Sequence, residues 1–242
     1  MLRGHNIFSI IGVVLKHPWI VIVLVPCSVN LLLVGMYFSG VPLLANIVAP
    51  YMPDVAQMRE FGLLENLENI YLLTMAAMGV AAIRLKTLQL EKAAAVLYTL
   101  FAIFLFLEEV DYGLHWIEFL RGTPPEEQLV IRNLHNQDSG FIDTIIKEGM
   151  AYVTLIWFVI APFALQRSKN RWVRYLLPAK QYAIAFLLIV LISRLAHYLD
   201  DQGRGNTSLL RNISEFREHG MFYLYMIWSY TLIYRRSLGS GT

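Results

Sequence analysis

Six runs of about twenty mostly apolar residues, at 19–38, 64–83, 93–113, 148–166, 181–199 and 215–234, constrain this chain more than any other feature. A helix of that length crosses about 30 Å of hydrocarbon. In lipid the backbone has no water to bond, so a spanning segment must satisfy its own N–H and C=O groups. The expected architecture is therefore all-α: an integral membrane bundle of six transmembrane helices, forming a single membrane domain over residues 1–242. The balance of 57% apolar against 16% charged residues agrees, because a soluble domain of this size does not carry so little charge. A net charge of +2 is too mild to mark a nucleic-acid binder, and no nucleic-acid partner is expected. The lone Cys27 sits inside an apolar run, which excludes an intramolecular disulfide and a thiolate zinc cluster.

Residues 4–16 resemble a secretory signal in length but lack a small-residue cleavage site, and a full-length apolar run follows Lys16-His17-Pro18. They read as an interfacial helix lying on the cytoplasmic surface. With the N-terminus cytoplasmic, twelve of the twenty Lys and Arg residues fall on inner ends, among them Lys16, Arg84, Lys86, Lys92, Arg174, Lys180 and Arg235. This satisfies the positive-inside rule and puts both termini in the cytoplasm. Seventeen of the eighteen acidic residues fall on the outer side, Glu91 being the exception, and so do His115, His135, His197 and His219. Acids do not follow the topology rule, so this asymmetry points to a site.

Depth sharpens it. Glu68 precedes Arg84 by 16 residues, Glu108 follows Lys92 by 16, Arg194 follows Lys180 by 14, and Glu218 precedes Arg235 by 17. At 1.5 Å per residue these groups share one level about 21–26 Å above the inner boundary. Ionisable groups there are costly unless they face a partner or a wet cavity. On a helix the i, i+3, i+4, i+7 rule puts Glu108, Asp111, Tyr112 and His115 on one face. Two carboxylates and an imidazole suit a divalent metal such as zinc, iron or manganese, or a proton-handling pair. Arg194, His197 and Asp201 repeat the pattern in the fifth span, and Glu215, Glu218, His219 and Tyr223 in the sixth. The candidate metal ligands are Glu108, Asp111, His115, His197 and His219. Glu109 and Glu218 are candidate general bases, and Arg194 a neutralising or catalytic cation. Plainer readings stand beside these. Glu65, Glu68, Glu215 and Asp201 read equally as helix-end acids in the headgroup region, favoured for Glu65 and Glu215 by the helix dipole. Glu108 and Asp111 read equally as a salt-bridge network with Arg194 and Arg217. Trp116, Trp228, Tyr112 and Tyr223 read as an aromatic belt.

The outer loop 119–147 holds Thr123-Pro124-Pro125-Glu126 and Asn133-Leu134-His135-Asn136, whose His135 and Asn136 are placed to act as a lid over a cavity mouth. Together with Arg59-Glu60-Phe61-Gly62-Leu63-Leu64-Glu65 and Glu108-Glu109-x-x-Tyr112-Gly113, these segments resemble a group of bacterial multi-spanning membrane proteins. In that group an E-D-G-x-x-E start, an E-E-x-x-W-G-Q-R motif and a downstream N-L-H-N recur. The match covers residues 59–136 and implies a bacterial inner-membrane location and a site, but no reaction. Leu114 and His115 stand where the group has Gln and Arg, so an anion-binding role of that Arg does not carry over.

Three functions follow from this pattern: a metal-dependent hydrolase or transferase acting on a lipid-borne substrate, a structural or accessory subunit with protein partners in a membrane complex, and a proton- or cation-coupled carrier. The chain has no internal repeat and its polar residues stop at one depth, which disfavours the carrier. The density of histidine and carboxylate favours the enzyme.

Overall fold

A computed structural model describes residues 17–52, 55, 58–124, 127–128, 149, 152–209 and 212–234. The interfacial helix expected at 4–16 and the His135-Asn136 lid lie outside the described residues. Among the described residues there is helix and no strand. The main helices are α1 (Ile20–Tyr37), α2 (Pro42–Val48), α3 (Leu63–Leu85), α4 (Gln89–Glu109), α5 (Leu114–Arg121), α6 (Tyr152–Ala164), α7 (Arg171–Leu176), α8 (Lys180–Asp201) and α9 (Glu215–Tyr234).

Four of these, α1, α3, α4 and α8, are long and apolar enough to cross a bilayer. The other two expected spans are different in kind. Among the described residues α6 is a shorter apolar helix, Tyr152–Ala164. Helix α9 has the expected 20 residues, but its first turns carry Glu215, Arg217, Glu218 and His219. Prolines shape α1 and α6. Each begins with or contains a π-helical segment, Ile20–Leu24 and Leu155–Ile160, directly before Pro26 and Pro162. A proline has no N–H and its ring crowds the preceding turn, and a widened turn accommodates both defects without ending the helix.

Helices α3 and α4 form a hairpin, α9 lies against α3, and α8 lies against α9 and α1. The helices α3 and α9 run in the same direction. Their leading 3-10 turns, Met58–Phe61 and Thr207–Leu209, touch at one end, and Lys86 Nζ donates to the Leu232 carbonyl at the other, at 2.8 Å. Helix α1 runs antiparallel to α9 and is tied to it by polar groups. Buried Asn30 donates to the Phe216 carbonyl at 2.7 Å, and Tyr223 donates to the Val21 carbonyl at 3.0 Å. Tyr37 completes the set by donating to the Asn206 carbonyl at 2.6 Å. In lipid, where no hydrophobic force drives one helix onto another, such bonds and close packing at small residues hold a bundle together. The middle of the bundle is filled by Leu72, Met75, Ile189 and Leu224, all buried. Leu97, Leu100, Phe104, Leu187 and Leu191 face outward, as a lipid-exposed surface requires.

Two glycines on these helices give opposite expectations. A Cβ at Gly220 would stand 2.6 Å from Ile189 Cγ2 on α8, whereas one at Gly35 of α1 meets nothing within 4 Å. Gly220→Val should cost about 1–3 kcal/mol through overpacking of α8 on α9. Gly35→Ala should be neutral or stabilising by up to about 1 kcal/mol, because alanine is the better helix former. Melting of the two purified variants in detergent checks the α8–α9 contact: the first should melt below wild type and the second should not.

Candidate functional site

The end of the bundle where α3 and α9 begin is built from short-range rules. Gly62 caps α3 in extended conformation, and a Cβ there would lie 2.2 Å from the Val48 carbonyl oxygen, so the start of α3 presses directly on the backbone of α2. Asn66 donates its side-chain amide back to the Gly62 carbonyl at 2.6 Å, which tightens the first turn. On the other helix Ser214 donates to Asn212 Oδ1 at 2.7 Å, and Asn212 in turn donates to a Glu215 carboxylate oxygen. These contacts set the register of the first turns of both helices and turn Glu65, Glu68 and Glu215 toward one another.

One oxygen from each of these three carboxylates lies within 4.8 Å of the others. All three residues are buried, at 2%, 0% and 4% exposure. Both oxygens of Glu68 lack a hydrogen-bond partner. The charges of Glu109, at the end of α4, and Glu218, on α9, also act on Glu68. One turn further along α9 from Glu215, His219 is 1% exposed with its Nδ1 unpartnered. Its ring packs at 5.3 Å between centroids on Tyr71, one turn along α3 from Glu68. The three buried carboxylates thus form a cup-shaped cluster, with His219 and Tyr71 one turn further along the two helices.

The electrostatics decide what this arrangement can do. Two ionised carboxylates at this spacing repel by about 3–4 kcal/mol with an effective dielectric constant near 20. The dipoles at the two helix starts return only about 0.3–1 kcal/mol each. Helix-end placement alone therefore does not account for three buried acids this close together; a shared proton or a positive charge beside them would offset the repulsion. The spacing matches a cation. Oxygens bound at about 2.0–2.6 Å to one ion stand at most about 5 Å apart across it. Carboxylates projecting inward from neighbouring helices are also the main ligands of the metal sites that helical bundles assemble.

Of the residues expected from the sequence, the structure brings Glu109, Glu218 and His219 around this cup. It does not join Glu108, Asp111 and His197 to His219: among the described residues, the three-carboxylate group is the one set of His, Cys, Asp and Glu side chains spaced for a single ion. The single helical face expected from Glu108 to His115 is corrected. Helix α4 ends at Glu109, and Asp111, Tyr112 and Gly113 then take positive φ of 49°, 54° and 78°. Helical spacing breaks there, and His115 falls on α5, beyond the break. Two successive non-glycine residues in the left-handed region store about 1–2 kcal/mol each. Glu108 and Asp111 are buried. Tyr112 donates to a Glu108 carboxylate oxygen from across the turn. Arg194 and His197 line a different cavity with Arg217, and Arg194 forms no ion pair among the described residues. Compared with known proteins, the chain matches no family model, no curated protein and no solved structure.

The sequence places Glu68 at the level of Glu108, Arg194 and Glu218, and Glu215 beside Glu218 and His219, but it does not join Glu65, Glu68 and Glu215 to one another. The signal that marks them is the pair Glu65-x-x-Glu68 at the start of one helix and the pair Glu215 and Glu218 at the start of another that runs in the same direction. Gly62→Ala is the structural test of this geometry. Because the obstruction is backbone, relief requires α3 to shift, and the variant should lose about 1–3 kcal/mol of stability, read as a lower melting temperature than wild type.

Proposed function

We propose that this chain is a six-span protein of a bacterial inner membrane, with both termini cytoplasmic, that binds one divalent cation in the cup formed by Glu65, Glu68 and Glu215. The observation that carries the reading is Glu68: fully buried, without a hydrogen-bond partner, and within an ion's reach of two more carboxylates. Oxygen donors favour a hard cation such as magnesium, calcium or manganese. The sixth span is α9, and the fourth contains α6. The resemblance to the bacterial membrane-protein group supports both the location and the site.

The cation's role in this reading is to activate a water or polarise an ester for hydrolysis or group transfer on a lipid-borne substrate. Glu109 and Glu218 are then the carboxylates placed to take the proton. The buried apolar middle of the bundle supports chemistry at one membrane face rather than passage through it, since a pathway needs polar groups on both sides of the midplane.

Calorimetric titration of the metal-stripped, detergent-purified chain with manganese tests the proposal. About one ion per chain should bind. Affinity should fall at least about tenfold, or about 1.4 kcal/mol, in Glu68→Gln and in Glu215→Gln, with a smaller change in Glu108→Gln. A folded wild type that binds no manganese, iron, zinc or magnesium would leave the acids sharing protons and favour an accessory subunit.

A further inference from the structure

A second site lies on the opposite side of α9. Arg217 follows Glu215 by two residues, about 200° around the helix, and lines a cavity of about 320 Å³ bounded by α6, α8 and α9. Arg194, His197 and Arg217 line it together with Phe186, Val190 and Met221. The polar and apolar residues are sorted by depth. Measured from Lys180 at 1.5 Å per residue, Phe186 stands about 9 Å along α8, Val190 about 15 Å, Arg194 about 21 Å and His197 about 25 Å. The cationic part therefore lies toward the outer boundary, and the apolar part lies in the hydrocarbon.

The two guanidinium groups have little to neutralise them. Arg194 pairs with no carboxylate among the described residues. The Arg217 contact with Glu218 is 3.9 Å long between side chains 42% and 38% exposed. An ion pair of that length and exposure contributes close to nothing. Arginine near the hydrocarbon is costly without a counter-ion, and its planar fork fits the oxygens of a phosphate.

We propose that this cavity binds an anionic phospholipid, its phosphate held by Arg194 and Arg217 with His197 beside them, and the start of one acyl chain lying along Val190 and Phe186. The depth gradient selects a lipid over free phosphate, because a small anion has no use for the apolar half of the cavity. The site is separate from the carboxylate cup and does not depend on metal binding there.

Native mass spectrometry of the full chain in neutral detergent, titrated with phosphatidylglycerol or phosphatidylcholine, tests this. One phosphatidylglycerol per chain should be retained at a concentration about tenfold or more below that needed for phosphatidylcholine, consistent with two cationic contacts. The preference should disappear in the double variant Arg194→Gln, Arg217→Gln. Val190→Trp, which leaves both charges and fills the apolar part, should weaken phosphatidylglycerol binding as well, so the proposal stays testable if the double variant fails to fold. Millimolar inorganic phosphate should leave the lipid bound. Equal retention of the two lipids, an unchanged preference in the folded double variant, wild-type lipid binding by Val190→Trp, or displacement of the lipid by inorganic phosphate would each overturn it.

Discussion

A carboxylate with no partner, enclosed where two parallel helices begin, is the constraint on which the rest of this structure depends. Glu68 is held against Glu65 and Glu215 although each pair repels by about 3–4 kcal/mol at an effective dielectric near 20. Helices free to slide or tilt would separate these charges. They are instead fixed from several directions: α3 by the close approach of Gly62 to α2, and α9 by the bonds from Asn30 and Tyr223 of α1. The bond from Tyr37 to Asn206 fixes the segment leading into α9. Each of these contacts lies near the same end of the bundle or runs along α9. The packing therefore preserves a juxtaposition that electrostatics alone opposes, which is the usual relation between a scaffold and a functional site.

Helix α9 divides the chemistry. One face carries Glu215 and His219 toward α3, and the opposite face carries Arg217 toward α8. Because residues two apart on a helix point about 200° away from each other, acids and bases that are neighbours in sequence are kept in separate environments. The apparent network of Glu108, Asp111, Arg194 and Arg217 is thereby split. Glu108 finds Tyr112, and the arginines line a cavity of their own.

Much of the fold was legible because its periodicity and length are imposed by the bilayer. The run at 215–234 coincides with α9, and those at 64–83 and 181–199 fall within α3 and α8. The end of α4 was not legible. Val110-Asp111-Tyr112-Gly113 contains one glycine, and nothing in the residue types at 111 and 112 announces two successive left-handed conformations. The candidate site was legible in its depth and its chemistry, through Glu109, Glu218 and His219, but not in its centre. Which helices are neighbours is set by tertiary packing that spacing along one helix does not encode. For that reason the convergence of Glu65, Glu68 and Glu215 follows only from α3 and α9 starting side by side.

If the beginnings of α3 and α9 together form a cation site, anomalous diffraction from crystals of the full chain grown with manganese locates the ion there. The result expected is a single strong peak bounded by the carboxylates of Glu65, Glu68 and Glu215. A manganese peak beside Glu108 and Asp111, or crystals of the folded chain with no peak near Glu68 at millimolar manganese, would contradict it.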